Sequence, residues 1–383
     1  MNDISLVIAR KLSARLPFYY GWIVVFAAGT TTFARMAPST TTLAVFVSPM
    51  ADEFGWSRTL IAGSVSLGAL SSIFISPAVG WAVDRYGVRL TLTLSMLVLG
   101  VAMISLVWAT VPVFFYMGFA TGRVIFHVPV QIGTGALISR WFIRKRGRAI
   151  GIIYLAGAVG GIVTVQIASL AISHWSIGAA WISLGGLVLA VAVLPSALLI
   201  VDRPETIGLQ PDNQPPASCE GRAELEKDSH GETDWTPHQA MRTRALWVLT
   251  VVVGVLFMTQ AGVSVHVGAF FLDRGLSLTA AANAITVYAA VNAFASLMWG
   301  VIIERTTVRV AMTGLMLLSA TCSLSLLSVT SEGSAFGMAA LLGLVAAGGN
   351  VIPPVAFASY FGRRSIGSIR GISETGVQVG QMI

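Results

Sequence analysis

Gly80-Trp81-Ala82-Val83-Asp84-Arg85-Tyr86-Gly87-Val88-Arg89 joins two apolar runs, each long enough to cross a bilayer, and its Asp-Arg pair cannot be left in hydrocarbon. The stretch reads as a short polar loop at one membrane face. A cruder copy comes 220 positions later: Gly300, then Glu304-Arg305, then Arg309. A Gly-x-x-x-(Asp/Glu)-Arg-x-x-x-Arg spacing at equivalent points of two apolar segments marks an internal repeat of membrane-spanning units.

Composition places the whole chain in the same solvent. Apolar residues make up 55% and charged residues 11%, against roughly a quarter charged in soluble domains. Too little polar surface remains to cover a water-soluble globule, so an all-α polytopic membrane protein is expected. Cys219 and Cys322 fall in a polar linker and an apolar segment, which implies neither a disulfide framework nor a metal cluster. Arg10, Lys11 and Arg15 precede an apolar run too long for a signal-peptide core, and no cleavage pattern interrupts it.

Ten runs near the ~20 residues that cross the hydrocarbon core cover 20–47, 59–81, 90–109, 113–138, 149–173, 178–201, 245–271, 278–303, 308–328 and 335–359. The first is broken by Pro38, and an eleventh begins near Ile369. Alternating the loops puts twenty of the 24 Lys and Arg on one face, only Arg58 and Arg274 on the other, and Arg35 and Arg123 inside spans. Positive residues stay cytoplasmic, so the N-terminus is expected inside the cell. Orientation then accounts for the net charge of +7, and no nucleic-acid partner is needed. Between Asp202 and Arg244 the chain turns polar, with Pro204, Pro211, Pro215, Pro216 and nine acidic residues. A cytoplasmic linker, poorly ordered in its middle, is expected there. It would divide a helical half 1–201 from a second half 245–383.

The 80–89 stretch and its repeat resemble the loop between helices two and three of the major facilitator superfamily and its second-half counterpart. Asp202-Arg203-Pro204-Glu205-Thr206-Ile207-Gly208-Leu209-Gln210-Pro211 is similar to the start of the central loop in the oxalate/formate-antiporter and monocarboxylate-porter branch. So are Phe18-Tyr19-Tyr20-Gly21-Trp22, Glu53-Phe54-Gly55-Trp56-Ser57-Arg58, and the loop Arg140-Trp141-Phe142 through Arg144-Lys145-Arg146-Gly147-Arg148. Tyr360-Phe361 with Arg363-Arg364 echo that last loop. The resemblance covers essentially the whole chain. It implies two six-helix halves, of which the chain holds ten helices and the start of an eleventh. About fifty residues, at ~20 per crossing, are then expected to be missing at the C-terminus. A monomeric carrier without a cofactor is implied, in the plasma membrane and, in a bacterium, the inner membrane.

Gly80 and Gly87 allow close helix approach and a tight turn. The resemblance implies that Asp84 faces the N-terminus of helix eleven, where the helix dipole favours a carboxylate. It also implies that Arg85 and Arg89 pin neighbouring helix ends or lipid headgroups, and that breaking this set lets the halves rock. Glu304 and Arg305 take the corresponding places in the second half, where Thr307 replaces the second glycine.

Ionisable groups within apolar spans are the binding candidates, because a charge near the bilayer centre costs at least ~2.5 kcal/mol. Arg35 in the first span lies on a stripe with Thr31, Ser39 and Thr42, and Arg123 in the fourth is followed by His127 and Gln131 at helical spacing. His266 sits in the seventh span above Thr259 and Gly262, Asn292 with Ser296 in the eighth, and Asn350 in the tenth. None of the 17 acidic residues falls within the first ten spans, Glu374 at the start of the eleventh being the nearest. Two cations without an internal acid make a positive cavity that an anionic substrate would neutralise, and guanidinium matches carboxylate bidentately. In the superfamily the first, fourth, seventh and tenth helices line the central cavity, which implies Arg35, Arg123, His127, His266 and Asn350 there. The basic residue that the branch carries in helix eight has no counterpart within 278–303, so a dicarboxylate such as oxalate is not supported. Each residue also has a plainer use. Arg35 can snorkel to the interface, Arg123 can bond backbone carbonyls, the histidines can bond between helices, and Asn350 can help a bend beside Pro353-Pro354.

The expectation is a secondary or facilitative transporter of a small organic anion, a monocarboxylate, working by alternating access. The alternatives are an exporter of an amphipathic compound with structural arginines, and a transporter-like membrane sensor, for which the linker is short. No nucleophile with its base, metal-ligand cluster or phosphate-cradling loop is present, so an enzyme or an ATP-driven pump is not expected. Proton coupling would fall to His127 or His266, and exchange or facilitated diffusion is the simpler expectation.

Overall fold

An apolar run in hydrocarbon must satisfy its amides internally, and the α-helix does so within one segment. The computed structural model describes residues 2–213 and 235–382, and no strand occurs among them. The middle of the linker, with Cys219, lies outside the described residues. A polar helix, α1 (Asn2–Arg15), precedes a first span split into α2 (Gly21–Ala34) and α3 (Thr40–Phe54). Next come α4 (Arg58–Tyr86), α5 (Val88–Ser105), α6 (Pro112–His127), α7 (Pro129–Trp141) and α8 (Arg146–His174). Then α9 (Ile177–Val188) runs through a π turn into α10 (Leu194–Leu199). After the linker follow α11 (Pro237–Met241), α12 (Arg244–Asp273), α13 (Leu278–Arg305), α14 (Val308–Ser325), α15 (Glu332–Phe361) and α16 (Ile366–Met382). Among the described residues nine helices are long and apolar enough to cross a membrane, α6 with α7 and α9 with α10 each counting as one.

Local chemistry starts and stops these helices. Ser57, Ser277 and Thr307 accept from Leu60 N, Ala280 N and Val310 N, which caps the first turns of α4, α13 and α14. Gly87, at φ +89°, turns the chain between α4 and α5 in a conformation that a side chain would strain. Two prolines interrupt spans midway. Pro38 has no N–H to donate, and the first span restarts at Ser39, whose hydroxyl accepts from Thr42 N. Pro129 takes the first position of α7 and breaks the fourth span after His127.

Helices on either side of the linker meet along two seams. In one, Gly80 of α4 lies against Gly367 and Gly371 of α16, and in the other Gly147 of α8 lies against Gly300 of α13. Without side chains at these points the backbones come into direct contact. Both seams are next to the clusters Arg85–Arg89, Arg144–Arg148 and Arg363–Arg364, so they join the basic end of the molecule. Deeper apolar packing includes a stacked, fully buried Phe46–Trp181 pair with centroids 3.7 Å apart.

Candidate functional site

The two proline breaks create the centre of the site. Each releases a backbone carbonyl from the helical ladder, and an arginine from the other broken span takes it. Arg35, at the end of α2, donates through Nη1 to the Phe126 carbonyl at 3.0 Å, in the turn before Pro129. Arg123 of α6 donates in return to the Pro38 carbonyl at 3.3 Å. Arg35 Nη1 also reaches Gln131 Oε1 at 3.0 Å, and Arg123 Nη2 lies 2.7 Å from His127 Nε2. A guanidinium can only donate, so His127 accepts at Nε2 and is the neutral ring with its proton on Nδ1. Both guanidiniums sit over one ring, Phe126, at 5.0 and 4.8 Å from its centroid.

These groups form one wall of a cavity of about 310 Å³. Met36, Thr40 and Gln131 extend that wall, and Phe257, Gln260 and Ala261 of α12 face it. Tyr288 and Asn292 of α13, Asn350 of α15, and Glu374, Gln378 and Gln381 of α16 close the ring. Arg35 and Arg123 are 8% and 5% exposed, so each is withdrawn from bulk water while bordering the cavity. The bonds described use fewer than half of the five donors on each guanidinium. Arg35 Nε, Arg123 Nε, Gln260 Oε1 and Gln378 Oε1 are buried without a hydrogen-bond partner. Each such atom costs about 1–3 kcal/mol.

The structure corrects the expected absence of an internal acid. Glu374 lies in the third turn of α16, is 4% exposed and borders the same cavity. Arg370, counted above among the loop cations, is a buried helical side chain one turn earlier, 3.4 Å from Glu374. Gln378 Nε2 donates to the other carboxylate oxygen at 3.1 Å. Glu374 is therefore compensated within its own helix, and Arg35 and Arg123 remain in excess.

The other candidates divide. Gln131, His127 and Asn292 border the cavity together with the arginines. His266 does not. It is exposed on α12, six residues beyond Gln260, which turns it about 240° around the helix from the lining face. Asn350, for which the resemblance implied a place at the cavity and the plainer reading a bend, borders the cavity inside a continuous α15. Sequence reasoning passed over Phe126, Tyr288, Gln260, Gln378 and Gln381, and named Glu374 only as the nearest acid. Arg370, Glu374, Gln378 and Gln381 do carry a signal, a polar stripe at i+4 and i+3 spacing.

At the basic end Asp84 accepts from Gly367 N at 3.1 Å and Ser368 N at 2.7 Å, the first turn of α16. Arg140 of α7 completes the cluster at 3.1 Å. Glu304 repeats the arrangement at the start of α8, accepting from Arg148 N at 2.8 Å and Nε at 2.7 Å. Arg85 and Arg305 are exposed at the rim. Arg89 turns instead to the first group of helices, its N–H bonded to Asp202 at 3.0 Å and its side chain to Ser5. The described start of the linker is fastened by Asp212, which accepts from the N–H groups of Ile143 and Arg144. Tyr19 Oη lies within bonding range of the Trp141 and Gln210 carbonyls. Burial, reinforced by nearby Asp212 and Glu205, pushes the Tyr19 phenol up and keeps it a donor.

The Major Facilitator Superfamily profile matches residues 20–383. Among curated proteins, the uncharacterized MFS-type transporter YcxA of Bacillus subtilis (strain 168) is 30% identical over 154 residues, 39% of this chain and 37% of that protein. The MFS-type transporter pynF of Aspergillus niger is 35% identical over 82 residues, 21% of this chain and 18% of that protein. The aligned stretches thus span well under half of either relative. Among solved structures, the proton:xylose symporter XylE bound to 6-bromo-6-deoxy-D-glucose superposes with a TM-score of 0.69. The match covers 95% of this chain and 87% of that one at 14% identity, a likeness of fold alone.

Proposed function

Since the chain belongs to the Major Facilitator Superfamily, a family of transporters and not of enzymes, we propose that it carries a small organic anion, a monocarboxylate, across the membrane by alternating access. One observation carries this reading: two adjacent guanidiniums border the central cavity in excess of its single, already compensated carboxylate. Their unused donors match a carboxylate, which accepts two parallel N–H bonds from one guanidinium. A volume of about 310 Å³ lies at the low end of the ~300–1,000 Å³ usual for ligand pockets, which favours a small cargo.

Helices 1–201 and 245–382 act as two bodies joined by the linker, and the glycine seams at the basic end part and close between them. With that end shut, cargo enters from the opposite face. The basic end is cytoplasmic, because positive loops are retained there, and the protein works as a monomer in the plasma membrane, the inner membrane in a bacterium. His127 is occupied as an acceptor by Arg123, which supports exchange or facilitated diffusion over coupling through that ring.

Uptake of labelled small monocarboxylates into proteoliposomes tests the reading, with wild type compared against Arg123→Gln. Loss of one charge-assisted contact, about 1.5–3 kcal/mol, should weaken apparent affinity by roughly tenfold or more. Undiminished uptake by a folded Arg123→Gln protein, or wild-type uptake of neutral analogues alone, removes the anion assignment.

A further inference from the structure

The central cavity holds unmet donors on the helices before the linker and unmet acceptors on the helices after it. Arg35 Nε and Arg123 Nε are buried donors without a hydrogen-bond partner among the described residues. Gln260 of α12 and Gln378 of α16 each present a buried Oε1 in the same condition, and both side chains line the cavity. The orientation of Gln378 is fixed chemically. Its side chain is 1% exposed, and its Nε2 donates to the Glu374 carboxylate at 3.1 Å. That carboxylate, paired with Arg370, only accepts, so the amide nitrogen must face it and the amide oxygen is left over. Gln260 lies beside Gly349 of α15, and Asn292, Asn350 and Gln381 add three more carboxamides to the lining. Buried polar groups are rarely left unpaired, so acceptors of this kind point to a donor carried in by the cargo.

A monocarboxylate with a plain hydrocarbon tail meets only half of this need. Its carboxylate takes the guanidinium donors, while its tail covers the glutamine oxygens without bonding them. The complementary molecule accepts at one end and donates at the other. We infer that the cargo is a polyhydroxylated monocarboxylate, with its carboxylate on Arg35 and Arg123 and its hydroxyls on Gln260 and Gln378. This rests on the anion reading above and narrows it to a substrate class. A hydroxyl both donates and accepts, so it satisfies a carboxamide presented by either end, and Asn292, Asn350 and Gln381 offer further partners of that kind. An ammonium would also donate. It would, however, add a cation to a cavity where Arg35 and Arg123 already exceed the one carboxylate, which Arg370 and Gln378 compensate. A volume of about 310 Å³ admits a short chain of this class.

Four compounds on one carbon chain test this: butanoate, its monohydroxy derivative 4-hydroxybutanoate, its trihydroxy derivative threonate, and threitol, in which the carboxylate becomes an alcohol. Each is titrated against the protein in nanodiscs at constant ionic strength, and thermal stabilisation gives its apparent affinity. Threonate should bind roughly a hundredfold more tightly than butanoate, about tenfold for each glutamine oxygen satisfied, with 4-hydroxybutanoate between them. Gln260→Leu should cancel about tenfold of that advantage, and Gln378→Leu should do the same. Gln260 is only half-buried, so its variant keeps the test decisive should Gln378→Leu, which also strips a bond from Glu374, fail to fold. Arg123→Gln should instead weaken threonate and butanoate by a similar factor and leave their ratio in place. Equal affinity for butanoate and threonate, or a ratio untouched in folded Gln260→Leu, overturns the hydroxyl assignment while the anion reading stands. Binding of neither acid, with or without binding of threitol, removes the anion reading and this inference with it.

Discussion

Replacing Asp84 with Asn should open the basic end, and the size of the effect follows from three contacts. The carboxylate accepts from Gly367 N at 3.1 Å, Ser368 N at 2.7 Å and Arg140 Nη2 at 3.1 Å. An amide retains one carbonyl acceptor and presents an NH₂ to the remaining donors, while Arg140, 4% exposed, loses its negative partner. Removing one member of a buried pair costs ~3–5 kcal/mol. The Asp84 side chain is 16% exposed, so screening by water reduces this to about 2–3 kcal/mol. The penalty applies only while the seam is shut, because parting α4 from α16 lets water reach Arg140 and the first turn of α16. The ratio of closed to open molecules should fall roughly 30- to 150-fold. Double electron–electron resonance between spin labels at Arg85→Cys and Arg305→Cys, both exposed, with Cys219 and Cys322 changed to Ser, measures that ratio, and a new long-distance population is expected. An unchanged distance distribution in a folded Asp84→Asn protein would refute the reasoning.

Two further outcomes test the same geometry. Gly147→Leu places a side chain where the Gly300 backbone now lies, so the basic end should stay apart and the 85–305 labels should report only the long separation. A short population persisting at wild-type level would show that the glycine contact is not needed for closure. Glu374→Gln leaves Arg370 buried without its acid and should lower thermal stability by about 3–5 kcal/mol. Adding Arg370→Met should restore most of that loss, and thermal unfolding of the single and double variants measures the coupling.

Much of the architecture was legible before folding was considered. Span positions follow from apolar run length, and the interruption at Pro38 from an imino acid that cannot donate. The pairing of residues 80–89 with 300–309 was readable as a repeat, and in the structure Asp84 and Glu304 each sit against the start of a helix across a seam. The site was only partly legible. Arg35 and Arg123 stood out because charge is rare in apolar spans, and Gln131 followed from helical spacing. His266 carries the same kind of signal but faces away from the cavity, because hydropathy does not record how a mostly apolar helix is rotated about its axis. Arg370 was misjudged for a related reason, and Glu374, placed at the start of the eleventh span, was not seen to share the arginines' cavity. A basic residue near a span terminus looks like part of a loop until the helices around it are in place.

The chain's local chemistry by itself specifies a polytopic helical protein, where its helices begin and break, and which end gathers its positive charge. These depend on transfer to hydrocarbon and on backbone valence, which act residue by residue. Tertiary packing decides that Arg35 bonds the carbonyl of one broken helix while Arg123 bonds that of the other, that both flank Phe126, and that Glu374 shares their cavity already neutralised. Those relations join residues far apart in sequence through helix rotation and register, and only the assembled bundle determines either.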